Sequence, residues 1–205
     1  MTETTQGMVS PIKLIPAGLA IVASTYGLSR YTYGLFVPEI QAAFDLTTAS
    51  MGLIGSASYL GYLVATLFGS TVSGVLGPRL PVVLGGLAAA GGMALIALAP
   101  NTWVLVLGIM LAGTSPGLAY PPLSDAVMQL IAEPQQNRTY AVINSGTSVG
   151  VIIAGPAALL AADDWRLAWA GFALFAAAAT AWNASLMPSH GRTVARRKEI
   201  GRAHV

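Results

Sequence analysis

Apolar residues run along this chain in long uninterrupted blocks separated by short polar joints. No Asp, Glu, Lys or Arg falls between Leu46 and Pro78 or between Leu80 and Ser124, and residues 14–29, 139–162 and 167–189 are equally free of charge. A helix needs about 20 mostly apolar residues to cross a hydrocarbon core about 30 Å thick. Divided at their joints, the blocks predict six such helices, over residues 14–37, 48–76, 80–99, 102–130, 138–161 and 165–187. Backbone within lipid must satisfy its own hydrogen bonds, and nothing here alternates like a barrel strand, so the expected class is an all-α membrane protein.

The joints carry recognisable signals. Pro38 follows the first block, and Thr47, Thr48 or Ser50 supplies a cap for the second helix. Gly77-Pro78-Arg79 and Pro100-Asn101-Thr102 read as turns into the third and fourth helices. Residues 133–137 read as a polar loop, and Asp163-Asp164 as acids at the start of the sixth helix. Residues 1–13 then form an N-terminal segment, 14–187 the bundle and 188–205 a basic tail.

Composition and charge sharpen this picture. Charged residues are 9% of the chain, against about 25% in soluble domains. The pI of about 9.1 does not mark a nucleic-acid binder, because the basic residues form no stripe over a face. With both termini on one side, that side receives Lys13, Arg79, Arg138, Arg192, Arg196, Arg197 and Lys198. The other side has only Arg166, beside Glu39, Asp45, Asp163 and Asp164. Short positive loops belong in the cytoplasm, which predicts cytoplasmic termini on a multi-pass protein of the inner membrane. A cleaved leader over residues 1–30 is the alternative, but it would hold a single lysine, Lys13, and apolar character resumes after Arg30. The chain has no cysteine, and His190 and His204 both lie outside the spans, so no metal site or cofactor is expected.

Several stretches resemble the major facilitator superfamily, specifically its N-terminal six-helix half, over about residues 12–190. In the loop between helices 2 and 3, Gly77 and Arg79 match the close of that family's signature, while Gly74 and Val75 stand where its acid and first base belong. Gly113 matches a helix-4 motif in which Ile109 replaces an arginine. Gly155-Pro156 matches the end of the helix-5 glycine ladder of antiporters, with Val142, Val151 and Leu159 at ladder positions. Arg30-Tyr31-Thr32-Tyr33-Gly34 before Pro38, and Ser58-Tyr59-Leu60-Gly61-Tyr62, are similar to a bacterial branch. The resemblance implies a second, C-terminal six-helix half as partner. Residues 199–205 also resemble the translation of a sequencing-library adapter, so the natural sequence is expected to end near Lys198 and continue differently.

The candidate residues follow from polar groups in apolar surroundings. Arg30 lies inside the first span, about two-thirds of the way toward the outer face, with Tyr26, Tyr33 and Gly34 on its side. An arginine there either grips a carboxylate or another planar anion through its fork of donors, or snorkels to the interface. Tyr59, Tyr120 and Asn144, with Ser145, are substrate-binding candidates, or else interhelical hydrogen-bond formers. Gly77, Pro78, Arg79, Asp125 and Arg138 make a candidate gating loop, in which Asp125 pairs with Arg79 or Arg138 or is a solvated helix-end acid. Ala57, Gly61, Ala65, Gly69 and Ser73 put a small residue at every fourth position, the pattern of close helix packing. Pro116, Pro121 and Pro122 are candidate kinks, and Gly155 and Pro156 a candidate hinge.

These features predict a secondary transporter that moves a small, anionic organic solute by rocking two halves about a midplane site. A structural or channel-like bundle is the alternative, although the aquaporin Asn-Pro-Ala pair and a Gly-rich carbonyl filter are absent. An intramembrane serine protease is excluded, since no predicted span holds a His or Lys to activate a serine. No Gly-x-x-x-x-Gly-Lys loop is present to drive a pump with nucleotide.

Overall fold

The computed structural model describes residues 11–160 and 164–187, and these are helical with short turns. Five helical stretches are long and apolar enough to cross a membrane: α3 (Thr48–Leu76), α4 (Arg79–Leu98), α5 (Thr102–Leu130), α8 (Trp165–Leu186), and the stretch Glu133–Leu160, which divides into α6 (Glu133–Asn144) and α7 (Gly146–Leu160). The first apolar block is helical throughout but changes winding. It runs as α1 (Pro11–Val22), a π-helical segment Ala23–Tyr31, a 3₁₀ segment Thr32–Phe36, and α2 (Val37–Phe44).

Local chemistry explains the winding. The hydroxyls of Ser24, Thr25 and Ser29 each donate to the carbonyl four residues back, and Thr32 Oγ1 donates to Gly27 O, five residues back, at 2.9 Å. Such side chains compete with the backbone ladder and loosen it. Pro38, expected to stop the first helix, sits instead in the first turn of α2, where a missing N–H is harmless. The stop comes at Asp45, in the left-handed conformation at φ 50°.

Other boundaries follow their signals. Thr47 caps α3 by accepting from Ser50 N (3.1 Å), and Asn101 caps α5 by accepting from Val104 N (3.1 Å). α3 ends at Gly77, whose φ of 87° suits glycine, with Pro78 behind it. Residues 133–137 are no loop but the opening of α6, because Pro134 falls in its first turn. Asp164 stands at the start of α8 without a side-chain cap bond, and Asp163 lies outside the described residues, as does the basic tail from residue 188. Arg166, two residues on, donates to the carbonyls of Ala97 (3.0 Å) and Ala99 (2.8 Å) that end α4.

α5 packs on α3 and α4, α4 packs on α8, and the π segment packs on α7. Two apolar cores result. One surrounds Phe36, Trp169, Met93 and Ile96 near the α4–α5 turn, and the other surrounds Leu14, Ile21, Leu123 and Ile143 near the start of α6. Between them lies a buried polar layer in which Ser29 Oγ and Ser115 Oγ meet at 2.9 Å.

Candidate functional site

The polar layer opens sideways into a cleft where the first span, α3, α5, α6 and α7 meet. Arg30 sits level with Gly113, near the middle of α5, toward whose carbonyl its Nη1 donates at 3.4 Å. The guanidinium carbon lies 4.1 Å from the ring centre of Tyr59 and 4.0 Å from that of Tyr62. Stacking of this kind is worth about 0.5–2 kcal/mol and offsets part of the expense of an arginine at membrane depth. Among the described residues the fork of N–H donors is filled only by the long bond to Gly113. Gly113 faces Ser58, whose hydroxyl would have to turn away from a Cβ placed there. Position 109 is isoleucine, so the guanidinium beside Gly113 comes from the first span.

The expected binding residues fall into two adjoining groups. Arg30, Tyr33 and Tyr59 border a space of about 30 Å³, with Tyr33 directing its hydroxyl toward Met51 O at 3.4 Å. Tyr26, Tyr120 and Asn144 border a much larger cavity of about 590 Å³, together with Tyr31, Ser145 and Thr147. Tyr120 donates to Asn144 Oδ1 at 3.0 Å. Tyr62, not singled out from sequence, joins the groups: its hydroxyl lies 3.0 Å from that of Tyr26 while its ring covers Arg30. Its signals in the sequence were its place at the end of the Ser58–Tyr62 stretch and a phenol in an apolar run, three positions after Tyr59.

The remaining candidates lie apart from this cleft. Asp125 accepts a hydrogen bond from Ser73 Oγ at 2.6 Å, and among the described residues it makes no ion pair with Arg79 or Arg138. Arg79 opens α4 and Arg138 lies within α6. Gly61, Ala65, Gly69 and Ser73 lie along one side of α3, where Gly61 faces Thr114 and Gly69 faces Gly117 and Leu118. Gly155 and Pro156 lie inside α7, which stays continuous there; its span breaks earlier, at Ser145. Among the described residues no cluster of His, Asp or Glu is placed to hold a metal ion.

These features define a multi-pass helical membrane protein whose discontinuous spans enclose a polar, aromatic cleft. The chain belongs to the Major Facilitator Superfamily, whose family profile matches residues 19–203. It is 32% identical over 190 residues to the multidrug resistance protein MdtH of Yersinia pestis strain Pestoides F, a match covering 84% of this chain and 47% of that protein. The MdtH of Yersinia pseudotuberculosis serotype O:1b matches equally. The crystal structure of the peptide transporter POT in complex with alafosfalin shares the fold, with a TM-score of 0.66 at 16% identity, covering 94% of this chain and 44% of that one. The chain thus spans about half the length of the curated relatives it matches.

Proposed function

We propose that this chain is the N-terminal, six-span half of a secondary transporter for a small organic anion, working by alternating access in the inner membrane with both termini cytoplasmic. A second six-helix half completes the cavity. The observation that carries the reading is the Arg30 guanidinium, held over the rings of Tyr59 and Tyr62 with its N–H donors largely unfilled among the described residues. A carboxylate fits such an edge with two parallel hydrogen bonds. A cation about 8 Å away would instead be repelled by about 2 kcal/mol at an effective dielectric near 20. Asp125 and Ser73, bridging α5 and α3 beside Gly77-Pro78-Arg79, serve as a hydrogen-bonded latch of the gating loop in place of an ion pair, and Arg138 belongs to the same face. Gly155 and Pro156, in open surroundings, provide the flexible point of the fifth span.

The test is solute exchange in vesicles by the gene extended through its second half, with this chain made alone as control. Arg30→Gln should lower exchange of an organic carboxylate at least tenfold, and Arg30→Lys should weaken it as well, because an ammonium lacks the forked geometry. Unchanged exchange in both variants at normal expression would reduce Arg30 to an anchor of the first span. Exchange by this chain alone would refute the need for a second half.

A further inference from the structure

The two spaces beside the first span differ in a way that specifies the body of the solute as well as its charge. The space at Arg30, about 30 Å³, is far smaller than its neighbour and gives no room for a ring beside the water-sized groups it can hold. The cavity of about 590 Å³ has no charged side chain in its wall. Tyr120 meets Tyr26 edge to face, at 5.3 Å and 82°, while Tyr31 stacks on Tyr26 at 6.2 Å and 26°. Rings so disposed offer both a face and edges, and a flat π-system gains from each beyond simple burial. Asn144, held through its oxygen by Tyr120, keeps its amide nitrogen as a donor for a polar substituent.

Charge divides the ligands further. Tyrosine faces attract cations, but the Arg30 charge stands just behind Tyr62, whose ring centre is 6.4 Å from that of Tyr26, and no acid of the described residues neutralises it. An anion is drawn by the same field. We infer that the large cavity is the ring subsite of an aromatic carboxylate, its ring held against Tyr26, Tyr31 and Tyr120 and its charge drawn by the nearby Arg30. This rests on the anion-transport reading above and adds the aromatic requirement to it.

The experiment is equilibrium binding to the purified chain in lipid nanodiscs, with benzoate, cyclohexanecarboxylate and benzylammonium as probes. Benzoate should bind about tenfold more tightly than either of the others. Tyr120→Leu should bring benzoate down to the level of cyclohexanecarboxylate, whereas Tyr120→Phe, which keeps the ring, should retain the preference. Arg30→Gln should erase the preference over benzylammonium and keep the advantage of the aromatic ring among neutral analogues, benzamide over cyclohexanecarboxamide. Equal binding of the saturated acid, equal binding of the ammonium, or no saturable binding of benzoate each overturns the inference. Arg30-dependent exchange of aliphatic and aromatic acids alike would overturn the ring subsite alone and leave the transport reading standing.

Discussion

Asn183 is wholly buried near the end of α8, and its amide nitrogen donates at 2.8 Å both to Ala179 of its own helix and to Ala17 of α1. Interhelical hydrogen bonds of this type in membranes are worth about 0.6–2 kcal/mol. Asn183→Ala should therefore lower the thermal midpoint in detergent by a few degrees, and Asn183→Gln, whose longer side chain misplaces the amide, should not restore it. An unchanged midpoint for Asn183→Ala would mean the bond to Ala17 adds nothing net. A single amide in an apolar run announces a polar contact but not its partner, which is why Asn183 went unremarked in the sequence while Arg30 stood out by its charge. The same holds for Tyr62, since which phenol of α3 reaches Tyr26 depends on how α3 is rotated against the first span.

Among the helices, the spacing of small residues in α3 was plain from sequence, and the structure sets that side against α5. A Cβ at Gly69 would stand 2.9 Å from Gly117 O and 3.1 Å from Leu118 Cα, whereas one at Gly74 would meet nothing within 4 Å. Gly69→Leu should thus cost about 1–3 kcal/mol or more from forced separation of the pair, with Gly74→Leu close to neutral. Equal melting of the two variants would count against tight α3–α5 contact. A second close approach was missed: Gly150 packs on the π segment, where an added Cβ would meet Ala23 O and lie 2.7 Å from Gly27 Cα. Gly146 and Gly150 keep the four-residue spacing in α7, but the place of the segment they pack against depends on bonds to α5, Ser29 to Ala112 O at 3.1 Å and to Ser115 Oγ at 2.9 Å. Those are tertiary contacts, and no periodicity in residues 23–31 encodes them.

Over the whole molecule, length and hydropathy were enough to place α3, α4, α5 and α8, because a span must match the thickness of the bilayer whatever it packs against. They said little about which spans face what. In α4 and α5 the most apolar windows are 56% and 50% buried, but only 17% in α3 and 22% in Glu133–Leu160. α3 presents Leu53, Leu60, Val64 and Leu67 outward, and α7 presents Ile152, Leu159 and Leu160. Both spans also border the polar cleft, through Tyr59 and Tyr62 on one side and Thr147 on the other. The division of the first and fifth spans was hidden for the same reason, since hydropathy averages over a kink.

The stacking of Arg30 over Tyr59 and Tyr62 has a bearing on how the protein is made. Synthesis is vectorial, so the guanidinium leaves the ribosome while the rings that will hold it do not yet exist. At that moment the first span carries an uncompensated charge that costs about 2.5–3.5 kcal/mol on insertion scales. Its entry into lipid should wait until α3 has emerged, making the two spans a single unit of integration. Nascent chains released before Thr48 should integrate incompletely, and those released after Leu76 fully. Replacing Tyr59 and Tyr62 together by Leu should narrow that gap, by lowering integration of the long chain, only where Arg30 is kept, and full integration of the short nascent chain would show that the first span enters the bilayer unaided.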